Sequence, residues 1–220
     1  MNLQMSKILV VAAHPDDELL GIGGIVKKHT KNGDIVRSII MCEGESLRYG
    51  KSVGQNVATA EAAKILGVEK VYTLGFPDQK LDTFTLTELI TPLEEISEEF
   101  KPDIVYCQSA CDANRDHKIL FEAASIAFRP TSEWIKDFYG FYTASSTEWG
   151  VPRNFVPDTW VDITEELDCK IKAFEQYHSE VREYPHPRSS DALRYQAHFW
   201  GNQCCMDAAE VLMTIRRVHR

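Results

Sequence analysis

The stretch Ile8-Leu9-Val10-Val11-Ala12-Ala13-His14-Pro15-Asp16-Asp17-Glu18 decides the fold. A short apolar run ended by Pro and charges reads as a strand buried on both faces. A helix-like stretch follows at once. The polar residues therefore stand beyond the carboxyl end of a strand, where open α/β sheets bind ligands. Pro15 keeps His14 extended and fixes its own φ, which stiffens the turn. Capping the next helix needs one Asp and no His beside it, so His14, Asp16, Asp17 and Glu18 are candidates for chemistry.

Outward from this stretch the pattern repeats. The helix runs on past Leu19 to Lys27, Lys28 and Lys31 and stops at Asn32-Gly33-Asp34, as helix-terminus chemistry predicts. Gly21, Gly23 and Gly24 are expected to let this helix pack closely on the sheet. They make no dinucleotide fingerprint: the G-x-G-x-x-G spacing is absent, and the carboxylates would repel a pyrophosphate. Strands are predicted at residues 35–42, 70–74 and 103–107, and helices at 54–66 and 87–100. This alternation predicts a Rossmann-like α/β fold, a mostly parallel sheet with helices on both faces.

The exit of the fourth strand is the second informative stretch, Ser109-Ala110-Cys111-Asp112-Ala113-Asn114-Arg115-Asp116-His117. A helix over 118–128 follows, which sets His117 on the same sheet edge as His14. Residues 138–144 and 159–163 are read as strands, antiparallel or at an edge. Residues 164–177 are read as a helix with Thr164 as N-cap, 178–188 as a loop, and 191–217 as largely helical. No repeat or linker divides the chain, so residues 1–220 are expected to form one domain.

The chain carries 24 Lys+Arg against 33 Asp+Glu, a net charge of −9. That argues against nucleic acid or an anionic membrane as the main partner. No apolar run approaches the roughly 18–20 residues of a transmembrane segment. No basic segment precedes an extended apolar one at the N-terminus, so a cytoplasmic protein is expected. The six cysteines are read as structural, mostly small buried hydrophobes of a reducing compartment.

Two stretches distant in the chain thus bring two imidazoles and several carboxylates to one rim. Catalytic Zn²⁺ takes three ligands of the His, Asp or Glu type and leaves a position for water. A spare carboxylate then suits a general base. Spacing alone does not say which Asp binds the metal, and Fe²⁺ or another divalent metal also accepts such a set.

Ala13-His14-Pro15-Asp16-Asp17-Glu18 with a distant Asp116-His117 resembles the PIG-L/LmbE family of zinc-dependent N-deacetylases. Weaker similarity extends over Ala62-Ala63-Lys64-Ile65-Leu66-Gly67-Val68, Gly75-Phe76-Pro77-Asp78 and Ala209-Glu210. The resemblance implies removal of acetyl from an N-acetylglucosamine-type sugar, small or on a glycan conjugate. It implies His14, Asp17 and His117 as zinc ligands and Asp16 as the base acting on the zinc-activated water. Asp116 and Glu18 would orient the ligands or serve the helix start, and Asp78 would contact sugar hydroxyls. Relatives form several assemblies, so a homo-oligomer is expected.

This chain departs from the family in two places. Asn114 stands where many relatives carry a His that stabilises the oxyanion; an Asn amide can donate there but cannot be cationic. Gln55 and Ala58 stand on the helix where relatives carry an Arg and a Glu, so Gln55 becomes the candidate substrate contact. Arg48, Arg153, Arg182 and His186 are loop residues placed to replace that Arg. Trp149, Tyr177 and Trp200 are candidates for a sugar-stacking wall or for plain packing. A non-sugar N-acyl amine as substrate, or a metal-binding scaffold without turnover, are the competing readings.

Overall fold

Ile8 to Ala13 are wholly inaccessible to solvent, because their strand, β1 (Lys7–Ala12), lies inside a seven-stranded sheet. The computed structural model describes residues 5–45 and 54–219. After β1 come α1 (Asp17–Lys31), β2 (Ile35–Cys42), α2 (Gln55–Leu66), β3 (Lys70–Phe76), α3 (Leu86–Phe100) and β4 (Ile104–Gln108). They are followed by α4 (Arg115–Ala127), β5 (Asp137–Phe141), β6 (Thr159–Asp162), α5 (Leu167–Phe174), α6 (Ser190–Asn202) and β7 (Ala209–Arg217). The strand order is β3-β2-β1-β4-β5-β7-β6. Strands β1 to β5 are parallel, and β7 runs antiparallel to both β5 and β6. The architecture is a single-domain, Rossmann-like α/β fold.

Alternation along β1 feeds two cores, since successive strand residues face opposite sides. Ile8 and Val10 pack with apolar residues of α1, α2, α5 and α6, while Leu9, Val11 and Ala13 pack with α3 and α4. β1 pairs with β2 on one side and β4 on the other. The chain reverses its direction of travel across the sheet between these neighbours, which opens a crevice at their carboxyl ends.

Helix α1 lies close to the sheet, as its glycines predict. A methyl group at Gly21 would run into the Phe141 ring, and one at Gly24 would stand 2.8 Å from Ile163. The helix is also broken at Ile22 (φ −136°, ψ 25°). Glu210 of β7 accepts from Gly24 N at 2.9 Å and Ile25 N at 2.7 Å, and Lys170 of α5 donates to Leu20 O at 3.1 Å. Lys170 and Glu210 are both buried and pair at 2.7 Å. The ion pair takes over the groups that an unbroken ladder would join, Leu20 O and Gly24 N, which is a specific cause for the kink.

Four expectations are corrected. β5 is neither antiparallel to its predecessor nor at an edge: it pairs in parallel with β4 and lies inside the sheet, because α4 returns the chain to start one more parallel strand. Helix α5 starts at Leu167, since the Thr164 hydroxyl is bonded to Asp162 Oδ1 at 2.6 Å and does not cap it. Residues 191–217 are not one helix: α6 ends at Asn202, and the β-branched Val211, Thr214 and Ile215 lie in β7, paired with β5 and β6. Cys204 and Cys205 consequently lie exposed in the turn between them, whereas Cys42 and Cys107 are buried as expected.

Candidate metal centre

The end of β1 is pinned from both sides. Ala13 N donates to Gln108 Oε1 at 2.6 Å, and Cys42 N donates to Ala13 O at 2.8 Å. Beyond it His14 N donates to Asp17 Oδ2 at 2.9 Å, and Asp16 takes a left-handed backbone (φ 93°) before α1 begins at Asp17. At the end of β4, Asn114 Oδ1 accepts from Asp116 N at 2.9 Å and so caps α4, whose first turn carries Asp116 and His117. Asp112 accepts from Asn114 N at 3.0 Å, from Thr147 Oγ1 at 3.2 Å and from the Ser146 hydroxyl. Local capping and turn bonds thus aim both imidazoles before any ligand is considered.

Three donor atoms meet in the crevice. His14 Nδ1, Asp17 Oδ2 and His117 Nε2 form a triangle whose three sides are each 3.2 Å. Tetrahedral ligands at about 2.0–2.1 Å from one ion stand roughly 3.3 Å apart, so the triangle has the size a Zn²⁺ site needs. The other imidazole nitrogens are held by carboxylates: His14 Nε2 lies 3.0 Å from Asp116 Oδ2, and His117 Nδ1 lies 2.9 Å from Asp112 Oδ2. The Asp116 bond fixes the His14 tautomer with its lone pair toward the triangle, and the Asp112 carboxylate faces the far nitrogen of His117. Asp17 Oδ1 is buried and has no hydrogen-bond partner among the described residues. The donor set fits a divalent cation.

The electrostatics ask for one. Burial alone depresses the His117 pKa, but the charges and hydrogen bonds of Asp17 and Asp112 outweigh it and carry it up to about 10. Burial likewise opposes protonation of His14, and Asp116 and Asp17 overcome it and raise the pKa. Burial pushes Asp17 up, yet His117 and His14 bring it well below the usual carboxylate range. Without a metal the His117 ring holds positive charge in its place near neutrality. Glu18 is the exception: burial, helped by Asp16 and Asp17, raises it to about 8, so it is protonated near neutrality.

The remaining predicted residues take varied places. Asp116 orients His14, not its sequence neighbour His117. Asp78 is buried with Oδ1 3.2 Å from His14 Nε2. Gln55 is buried and donates to Glu180 Oε1 at 3.0 Å. Arg48 lies outside the described residues, and Arg153 and Arg182 are exposed. The proposed wall does not form: Tyr177 is a core residue bonded to Thr59 Oγ1, and Trp200 packs on Tyr142. Trp149 is exposed, edge-on to His186.

Sequence reasoning passed over Asp112 and Arg188. Asp112 stood in the quoted second stretch, and the signal was its place in an acidic turn ahead of His117. Arg188, in the loop before α6, reaches Asp16 Oδ2 at 3.0 Å and Glu180 Oε2 at 2.6 Å. Nothing local marks it out among the neighbouring arginines.

Fold and site together define a class: Rossmann-like α/β proteins with a buried His–Asp–His donor set at the switch point of the sheet. The chain belongs to the PIG-L family, described as GlcNAc-PI de-N-acetylase, whose pattern matches residues 9–128, more than half of its length. It is 28% identical over 178 residues to the uncharacterised deacetylase YaiS of Escherichia coli K12, across 78% of this chain and 90% of that one. It is 26% identical over 193 residues to the diacetylchitobiose deacetylase of Thermococcus kodakarensis, across 81% of this chain and 72% of that one. The crystal structure of the conserved protein TT1542 from Thermus thermophilus superposes with a TM-score of 0.80 at 25% identity, covering 98% of this chain and 97% of that one.

Proposed function

We propose that this chain is a zinc-dependent N-deacetylase that removes acetyl from an amino sugar of the N-acetylglucosamine type, with residues 1–220 acting as one domain. The observation that carries the proposal is the 3.2 Å triangle of His14, Asp17 and His117, with Asp16 adjacent in the chain to Asp17. A divalent ion held by these three supplies Lewis acidity, polarising an acyl carbonyl and activating water near neutral pH. Asp16 takes a proton from the attacking water and returns it to the leaving nitrogen, so that acetate and a free amine depart. Asp116 and Asp112 keep the two imidazoles in register, and the Asn114 amide is the candidate donor to the oxyanion.

Membership of a de-N-acetylase family and a relative named for diacetylchitobiose support the sugar reading. Among the described residues no helix is long and apolar enough to cross a membrane. Six free cysteines suit the reducing cytoplasm we propose as its compartment. The test is to incubate zinc-loaded protein with N-acetylglucosamine and N,N'-diacetylchitobiose and to measure acetate. Release is the expected result. Acetate only from non-sugar N-acyl amines would overturn the substrate class, and bound metal without acetate from any of them would leave a scaffold.

A further inference from the structure

Asp16 is the proton-transferring carboxylate of the reading above, and the present inference rests on that reading. Its backbone lies in the left-handed region, which is disfavoured for a residue with a Cβ, and its side chain makes no cap to α1. The carboxylate turns instead to Arg188, whose Nη1 stands 3.0 Å from Asp16 Oδ2. The same nitrogen lies 2.6 Å from Glu180 Oε2, and Arg188 Nε donates to Ser145 Oγ at 2.7 Å. Glu180 is buried, and its other oxygen accepts from Gln55 Nε2 at 3.0 Å.

The guanidinium is thus held by Ser145 in the segment after β5 and by Glu180 in the segment after α5, and Glu180 is itself braced by Gln55, the first residue of α2. Setting an arginine between two buried carboxylates is costly in desolvation, and loops that only needed joining could be joined by apolar contact. The clamp also comes from elsewhere in the chain than the group it holds: residues 145, 180 and 188 lie beyond the family-matched segment 9–128, which contains Asp16. We propose that Arg188 is a positioning residue for the reaction, a guanidinium fixed by Glu180 and Ser145 that holds the Asp16 carboxylate in its working orientation. The planar fork of Arg suits this task better than the single flexible charge of Lys.

The experiment compares zinc-loaded wild type, R188A, R188K and D16N with N,N'-diacetylchitobiose as substrate. R188A is expected to lose kcat by about 10²-fold, the usual effect of a small misplacement, with KM and zinc content unchanged. Guanidinium added to the buffer is expected to restore part of the kcat of R188A and none of that of D16N. A higher KM at unchanged kcat, or no loss at all, would overturn the proposal. Should R188A fail to fold, R188K decides: reduced kcat supports the proposal and wild-type kcat overturns it. A crystal structure of the Arg188 variant gives a reading independent of turnover, for a displaced Asp16 carboxylate supports the role and an unmoved one removes it. Wild type that releases no acetate would defeat the deacetylase reading, while that crystal structure still decides whether Arg188 holds Asp16.

Discussion

At the scale of single residues, the site is a division of labour among neighbouring carboxylates. Asp17 faces the proposed metal position, Asp112 and Asp116 face the far nitrogens of the rings, and Asp16 faces Arg188. Asp16→Asn is therefore expected to keep zinc while kcat falls by about 10²–10⁴-fold, the worth of a positioned base; acetate assays beside metal analysis check it. Asn114 caps α4 and is the proposed donor to the oxyanion, two roles that substitution separates. Asn114→Ala is expected to cost about 0.5–2 kcal/mol of stability through the lost cap of α4, read from denaturant unfolding. Asn114→Ser keeps a capping oxygen and removes the amide, so stability should hold while kcat drops about 10²-fold; unchanged kcat would take Asn114 out of the reaction. The pH response follows from His117, whose pKa rises from 6.5 to about 10 on folding without metal. A raised pKa stabilises below the unfolded value and loses that contribution as pH climbs through the folded value. Metal-stripped protein should thus lose melting temperature between about pH 6.5 and 10, more steeply than His117→Asn.

At the scale of elements, α1 is the part most dependent on its surroundings. Its first turn carries Asp17 and Glu18, and the break at Ile22 is filled by Lys170 from α5 and Glu210 from β7. Glu210→Gln leaves the Lys170 charge buried without its partner. Such a break typically costs about 3–5 kcal/mol, and urea unfolding should show it; a loss below about 1 kcal/mol would mean the pair is not needed for the kink. The same pair shows why the extended state of residues 209–217 was not legible in the sequence. The ends of α1 to α3 are marked by local chemistry, such as the Gly67 C-cap at φ 84° and the Thr85–Glu88 capping box, and a sequence displays such marks. β7 has no mark of that kind. Its extended state comes from pairing with β5 and β6 and from Glu210 reaching into α1, contacts that only the assembled sheet provides.

At the scale of the whole molecule, strands β1 to β4 were legible because each ends in a turn of chemistry-bearing residues, whereas the parallel placement of β5 was not. Ala13 to Glu18 and Asp112 to His117 could be read as one rim before their geometry was known. The distant arm of the site was not legible in the same way. Arg188 differs from Arg182 by its reach across the fold to Asp16, which no spacing in the chain encodes. Gln55, read as a substrate contact, donates to Glu180 and so belongs to the same cross-fold chain. The proposed chemistry depends on a single ion shared by two rings, one from the end of β1 and one from the first turn of α4. Anomalous diffraction at the zinc edge from zinc-soaked crystals tests this directly, with His117→Ala as the control. One peak per chain within bonding distance of His14 Nδ1, Asp17 and His117 Nε2, absent in the variant, is the predicted result; a peak elsewhere, or one that survives loss of His117, would contradict it.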